Sequence, residues 1–175
     1  MNIITHDIIT LKGSDLVQEA SKFHTVRGYL LLEQNKKILT SAMEDYLEMI
    51  YRNSLIEDYI RINTISELLN VAAPSTTKMV QKMKALGLLN YEKYGFINLT
   101  ENGREIGKFL LERHNIVERT LINLGVKENT LIETELIEHN ISAETLHKLD
   151  LFNKFLKQNP DIIEKLEQFS ESFSG

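Results

Sequence analysis

The chain has 175 residues and a mass of 20.2 kDa, with 42% hydrophobic and 26% charged residues. That balance belongs to a globular chain with enough apolar surface to build a core. Cysteine is absent, which excludes a disulfide framework, a thiolate zinc site, an iron–sulfur cluster and a cysteine nucleophile. A formal charge of −5 and a pI of 5.6 argue against a sequence-blind polyanion binder, while leaving room for a local basic face.

No apolar stretch approaches the ~20 residues of a membrane-spanning helix. The opening, Met1 to Asp7, has no basic n-region, so a secretory leader is not expected. The expectation is a cytoplasmic protein with no membrane partner. Residues 1–40 read as an N-terminal extension, partly helical. Leu16, Ala20, Phe23 and Leu31 can share one apolar face, with Gly28 as an interruption. From Ser41 the pattern sharpens, and Met43, Tyr46, Leu47, Ile50 and Tyr51 predict a helix to about Ile56. Thr64 and Glu67 have capping-box spacing and predict a short helix ending near Asn70.

Val71-Ala72-Ala73 then forms a tight connection into Pro74, a residue suited to the first helical position. The next helix spans Ser75 to Leu86, with Gly87 as its left-handed cap. Leu88–Lys93 and Phe96–Thr100 read as two strands around a Tyr94-Gly95 turn. Helix, short helix, turn, helix and hairpin in this order make a winged helix-turn-helix over residues 41–100. Residues 101–175 are helical: Thr100 caps a helix running to about Leu124 and closed by Gly125. Further helices cover Ile132–His139, Ser142–Lys157 and Asp161–Phe169, followed by a fraying polar tail. The fold class is therefore mainly α, a winged helix followed by an all-helical domain.

Two groups of residues carry chemistry. On the helix after Pro74, Met79, Val80 and Met83 are spaced to face a core. Ser75, Thr76, Thr77, Lys78, Gln81 and Lys82 are left for the exposed face. Hydroxyls and amides at a helix N-terminus suit phosphate oxygens, lysine adds charge, and Gln81 can read a base edge. With Lys93 and Tyr94 at the hairpin tip, these are the expected contacts to double-stranded DNA. From Pro74 to Tyr94, four lysines oppose Glu92 alone, a net charge of +3 in an acidic chain. A lone lysine-rich helix is usually a solvated face; the capped helix before it and the hairpin behind it favour DNA.

The second group is a set of carboxylates and histidines. Asp45 and Glu48 share one helix face, as do Glu135, Glu138 and His139, and His114 lies on the long helix between them. Taken singly, each fragment is an ordinary helix pair or a lone histidine. If they converge, four carboxylates meet in a partly desolvated pocket, where unpaired charge is costly. Two divalent cations neutralise them one for one. Oxygen and imidazole donors without sulfur lean towards manganese or ferrous iron rather than copper(I) or structural zinc. His6, His24 and His147 have no comparable partners.

Ser41-Ala42-Met43-Glu44-Asp45-Tyr46-Leu47-Glu48, Pro74 to Lys82, Tyr91-Glu92-Lys93-Tyr94, Glu112-Arg113-His114 and Glu138-His139 together resemble the diphtheria toxin repressor family, in its manganese-regulating branch. The resemblance covers roughly Ser41 to Leu156. It implies a homodimeric, metal-activated repressor of metal-uptake genes that binds operator DNA. It also implies a binuclear centre on Asp45, Glu48, His114, Glu135, Glu138 and His139, holding two Mn2+ per subunit. The iron-sensing branch has methionine and cysteine where this chain has Asp45 and Glu135. The additional SH3-like domain of some members is not expected. The extension before Ser41 is not explained by the resemblance, although Lys22 and Arg27 are available to flanking DNA. An Fe2+-responsive repressor on the same scaffold remains an alternative. So do a di-metal carboxylate enzyme, which would need a second Glu-x-x-His repeat, and a metal-independent winged-helix regulator. The expectation is a protein that is not an enzyme, with no small organic substrate.

Overall fold

The computed structural model describes residues 39–92 and 95–173. Residues 1–38 of the N-terminal extension, with its helical reading and Lys22 and Arg27, and the hairpin-tip residues Lys93 and Tyr94 lie outside the described residues. The elements run α1 (Ser41–Ser54), β1 (Ile60–Arg61), α2 (Ile62–Leu68), α3 (Ala73–Ala85), β2 (Leu89–Tyr91) and β3 (Phe96–Leu99). Four helices follow: α4 (Glu101–Asn123), α5 (Thr130–Glu138), α6 (Ala143–Gln158) and α7 (Pro160–Phe173). The strands form one antiparallel sheet of order β1-β3-β2, with Ile60 opposite Ile97 and Leu89 opposite Leu99. This is the expected winged helix-turn-helix followed by helices.

The local signals mostly hold. Thr100 caps α4 by accepting a hydrogen bond from the Gly103 amide at 3.1 Å, and its own hydroxyl donates to the Gly87 carbonyl at 2.7 Å. Ser142 caps α6 through the Thr145 amide. Gly87 and Gly125 close α3 and α4 with φ of +72° and +88°.

Four expectations are corrected. The Thr64–Glu67 capping box does not form: α2 starts at Ile62, with Arg61 at the N-cap position and no side-chain cap. The reason is β1, a two-residue strand too short to show a period. It pairs with β3 through Arg61 and turns straight into the helix. Pro74 is the second residue of α3, which begins at Ala73. α5 begins at Thr130, after Asn129 in the left-handed region at φ 58°. The tail does not fray at Ser170, since α7 continues to Phe173. Phe169 and Phe173 stack one turn apart, their ring centroids 4.8 Å from each other.

One core joins the helix-turn-helix to the helical half. Met43, Leu47 and Ile50 of α1 pack with Val80 and Met83 of α3, Leu89 and Ile97 of the sheet, and Ile106, Leu110 and Val117 of α4. α1 lies most extensively on α4, and α4 in turn carries α5 and α6. Gly107 permits the α1–α4 approach. A Cβ there would fall 2.7 Å from Tyr51 Cβ and 3.3 Å from the Leu47 carbonyl oxygen, so any side chain would push the helices apart. That close crossing brings polar residues at the edge of α1 against α4 and α5.

Candidate metal centre

With Met43, Leu47 and Ile50 turned into the core, helical spacing sets Glu44, Asp45 and Glu48 along the neighbouring face of α1. α4 contributes Arg113 and His114, which sit on the buried stripe continued by Phe109, Leu110 and Val117. α5 contributes Glu135, Glu138 and His139 from its last turn and cap. All six residues predicted from the sequence meet there, in two clusters of ligand atoms, each mutually within 4.8 Å.

Asp45, Glu135 and His139 form the more open cluster. His139 Nε2 lies 3.1 Å from Asp45 Oδ1 and 4.0 Å from Glu135 Oε2. Glu48, His114 and Glu138 form the buried one, with His114 Nδ1 at 3.3 Å from Glu138 Oε2 and 3.8 Å from Glu48 Oε1. Two carboxylates reach across. Glu135 Oε1 is 3.7 Å from His114 Nδ1, and Glu138 Oε1 is 3.8 Å from His139 Nε2. A cleft of about 350 Å³ opens onto the ligands between Asp45, Glu48, Arg52, His114 and Glu135, walled by Leu68, Leu69 and Leu131.

The electrostatics are those of carboxylates crowded together in a partly buried site. Burial, reinforced by Glu138, holds the Glu48 carboxyl above its usual range, against the pull of its hydrogen bond with Arg52 at 2.7 Å. Burial and then the Glu138 and Asp45 charges do the same to Glu135. Glu138 raises the His114 imidazole. His139 is pushed up to about 10 by its hydrogen bonds to Asp45 and then Glu44. Glu138 is 1% exposed and His114 2% on their side chains, yet among the described residues neither Glu138 Oε2 nor His114 Nδ1 has a partner with hydrogen-bond geometry. Unsatisfied groups this deeply buried call for an explanation, and a cation accepting both lone pairs supplies one. The donors are all oxygen and imidazole nitrogen, a shell suited to manganese or ferrous iron.

Glu44 and Arg113 were not singled out as functional residues from the sequence. Glu44 Oε2 accepts from Arg113 Nη2 at 2.9 Å and lies 2.9 Å from His139 Nδ1. The available signal was an acidic residue and an arginine placed on buried helix stripes, where each needs a partner.

The DNA-facing helix is partly as expected. Ser75, Lys78, Gln81 and Lys82 are exposed on α3, and Thr77 is half-buried with its hydroxyl donated to the Ala73 carbonyl. Thr76 is corrected. It is fully buried, accepts a hydrogen bond from Ser66 at 2.9 Å and lies 3.4 Å from the Tyr46 hydroxyl. It precedes Val80 by one turn and Met83 by two, so it belongs to the core stripe of α3, and its paired hydroxyl makes that burial tolerable. A cleft of about 500 Å³ separates the start of α3 from the wing, between Arg61, Pro74, Thr77, Tyr91 and Gly95. Arg61, whose guanidinium lies 4.9 Å from the centre of the Phe96 ring, is a basic residue beside α3 that the sequence reading overlooked.

Residues 38–97 match the profile of the iron dependent repressor N-terminal DNA binding domain, and residues 100–167 match its metal binding and dimerisation domain. The chain belongs to the iron dependent repressor family. Within that family it is 40% identical over 129 residues to the HTH-type transcriptional regulator MntR of Lysinibacillus sphaericus (strain C3-41), covering 73% of this chain and 93% of the relative. It is 42% identical over 118 residues to the MntR regulator of Oceanobacillus iheyensis, covering 66% and 80%. Among solved structures, the manganese regulator SloR superposes with a TM-score of 0.59 at 29% identity. The metal-dependent transcriptional regulator MtsR gives 0.60 at 28%. In both, the match covers 67% of this chain and 55% of the solved one, so this chain spans about half the length of those regulators. Membership of the repressor family makes the chain a DNA-binding transcriptional regulator with a divalent-metal site. Asp45 and Glu48 fall in its DNA-binding match, whereas His114, Glu135, Glu138 and His139 fall in its metal-binding match.

Proposed function

We propose that the protein is a manganese-responsive repressor that binds operator DNA of metal-uptake genes as a homodimer. In this reading residues 41–100 hold the DNA and residues 101–175 sense the metal and dimerise. The carrying observation is that each ligand cluster draws on both: one carboxylate from α1 and two ligands from α4 or α5. The curated relatives named MntR support manganese as the cation, as do carboxylates at Asp45 and Glu135. No helix among the described residues is long and apolar enough to cross a membrane, and a cytoplasmic location fits a regulator of transcription.

Asp45, Glu48, His139 and His114, with Glu135 and Glu138 reaching between the clusters, would hold two divalent cations per subunit. A cation supplies there the positive charge and directional bonds that let four carboxylates stay ionised side by side. Without such compensation the carboxylates of α1 and α5 repel one another, and α1 reaches α5 through the contacts of Glu44 and Asp45 with His139. With it, Asp45 and Glu48 hold α1 in one place against α5. Because Met43, Leu47 and Ile50 of the same helix share the core with Val80 and Met83 of α3, fixing α1 fixes the DNA-facing helix.

On α3, Ser75, Thr77, Lys78 and Lys82 would contact phosphates and Gln81 a base edge, with Lys93 and Tyr94 at the wing. The dimer would bury the exposed apolar residues Leu131, Ile132 and Leu136 of α5 and Phe152 and Phe155 of α6. Moving such a dimer from 1:99 to 99:1 competent requires about 5.5 kcal/mol of preferential cation binding, within reach of several ligand bonds. Fluorescence anisotropy of labelled DNA from the protein's own promoter region, titrated with Mn2+ and separately with anaerobic Fe2+, tests the reading. Tight binding should require metal, and Mn2+ should activate at least as well as Fe2+. Equal binding in chelator would refute it.

A further inference from the structure

The centre contains a second layer that no ligand role explains. Glu44 Oε2 is the meeting point of three helices: it lies on α1, accepts from Arg113 Nη2 of α4 at 2.9 Å, and sits 2.9 Å from His139 Nδ1 at the end of α5. Arg113 is 3% exposed on its side chain, and its Nη2 also lies 3.9 Å from Glu138 Oε1 and 3.2 Å from His139 Nδ1. Neither residue belongs to a ligand cluster.

The chemistry of these contacts decides where the imidazole proton sits. A carboxylate accepts hydrogen bonds and an arginine only donates them. If His139 Nδ1 were bare, Arg113 would donate to it, the ring proton would move to Nε2, and Nε2 would point that proton at Asp45 and Glu135. Glu44 forbids this arrangement, because a carboxylate oxygen 2.9 Å from a bare nitrogen sets two lone pairs against each other. With Glu44 in place Nδ1 carries the proton, and Arg113 and His139 donate to the same oxygen. Nε2, 3.1 Å from Asp45 Oδ1, is then the nitrogen that gives up its proton to a cation.

We propose that Glu44, anchored by Arg113, is a positioning residue that selects the His139 tautomer and so makes the Asp45/Glu135/His139 cluster competent to bind a divalent cation. The inference rests on the metal-centre reading above. A carboxylate behind a ligating histidine raises the basicity of the ring and fixes its orientation, and loss of such a partner costs about 10- to 100-fold in metal affinity. Arg113 keeps Glu44 aimed, and its charge offsets Glu138 beside it.

The test compares wild type, Glu44→Gln and Glu44→Ala in the full chain by Mn2+ titration calorimetry, with nitrogen-15 NMR of the His139 ring in chelator. Gln keeps an oxygen able to accept from both donors, so its two binding steps should stay within about threefold of wild type. Ala leaves Arg113 free to donate to Nδ1, so one step should weaken by about 10- to 100-fold while the other is retained. In chelator a hydrogen-bonded Nδ1–H should be present in wild type and Glu44→Gln and lost in Glu44→Ala. Equal affinities in all three proteins would overturn the proposal. So would parallel weakening of both steps in Gln and Ala with a common fall in chelator melting temperature, the mark of a merely structural pair. A wild type that binds no Mn2+ would overturn the metal-centre reading as well.

Discussion

The metal centre and the DNA-facing helix use polar side chains in opposite ways. At the centre, Glu138, His114 and Arg113 are almost wholly buried, and each is held by contacts that cross between helices. On α3, Lys78, Gln81 and Lys82 stand in solvent, and none of them contributes to the core. The first region stores electrostatic cost that a cation can release; the second carries charge at little cost to the fold. α1 links them, with ligands on one face and the core shared with α3 on the next. A sensor and a reader can therefore be coupled by one helix without any residue serving both.

The contrast gives predictions that differ in size. Removing a buried ligand should have the largest effect. His114→Ala strips the Glu48/Glu138 cluster of its imidazole, and the Mn2+ concentration needed for DNA binding should rise by roughly 100-fold or more, or about 2.7 kcal/mol. Anisotropy titrations would show it, and an unchanged midpoint would remove His114 from the centre. Asp45→Met, in the more open cluster, exchanges a hard anionic ligand for a soft thioether and should weaken Mn2+ activation by about tenfold. An equal Mn2+ response would remove Asp45 from the selectivity argument.

Proton release sharpens the comparison. His139 is raised to about 10 by Asp45 and then Glu44, whereas a free histidine titrates near 6.5. In chelator its contribution to stability is therefore complete below pH ~6.5 and is lost as pH rises through about 10. A cation must displace the proton from Nε2, so Mn2+ affinity should rise with pH across the same window, by up to about tenfold per unit for one proton. Calorimetry in buffers of different ionisation enthalpy between pH 6.5 and 8 would count the protons released.

Thr76 and its neighbour Lys78 test where burial ends. Thr76→Val removes the acceptor for Ser66 and should cost about 1 kcal/mol in urea unfolding, with no change in the salt dependence of DNA binding. Lys78→Ala and Lys82→Ala should be nearly neutral for unfolding, within about 0.5 kcal/mol. Each should lower the slope of log affinity against log salt by up to about 0.9. Swapped outcomes would show that the α3 faces are assigned the wrong way round.

Features with a local cause were legible in the sequence. The Thr100 and Ser142 caps, the glycines closing α3 and α4, and the apolar spacing of α1 each follow from a few neighbouring residues, and all are present. The six carboxylates and histidines that converge on the candidate centre were legible through residue type, helical spacing and the family resemblance. What was not legible depends on distant partners. β1 exists because Ile60 finds Ile97, and it moves the start of α2 ahead of a plausible capping box. Thr76 reads as a surface hydroxyl until Ser66 and Tyr46 close over it. Glu44 and Arg113 look like any helix carboxylate and any arginine; their bonds span 69 and 95 residues of chain.

In the proposed mechanism, metal bound by Asp45, Glu48 and Glu138 acts by joining α1 to α5, not by local relief of repulsion. Glu138→Gln separates the two ideas, because it removes one buried negative charge and one anionic ligand while keeping the shape of the side chain. The direct measurement is the affinity of this variant for promoter DNA in chelator, beside wild type in chelator and with saturating Mn2+. The account predicts that metal-free Glu138→Gln binds no better than metal-free wild type and needs far more Mn2+ to be activated. Tight DNA binding by metal-free Glu138→Gln would show that charge relief alone suffices and would contradict the account.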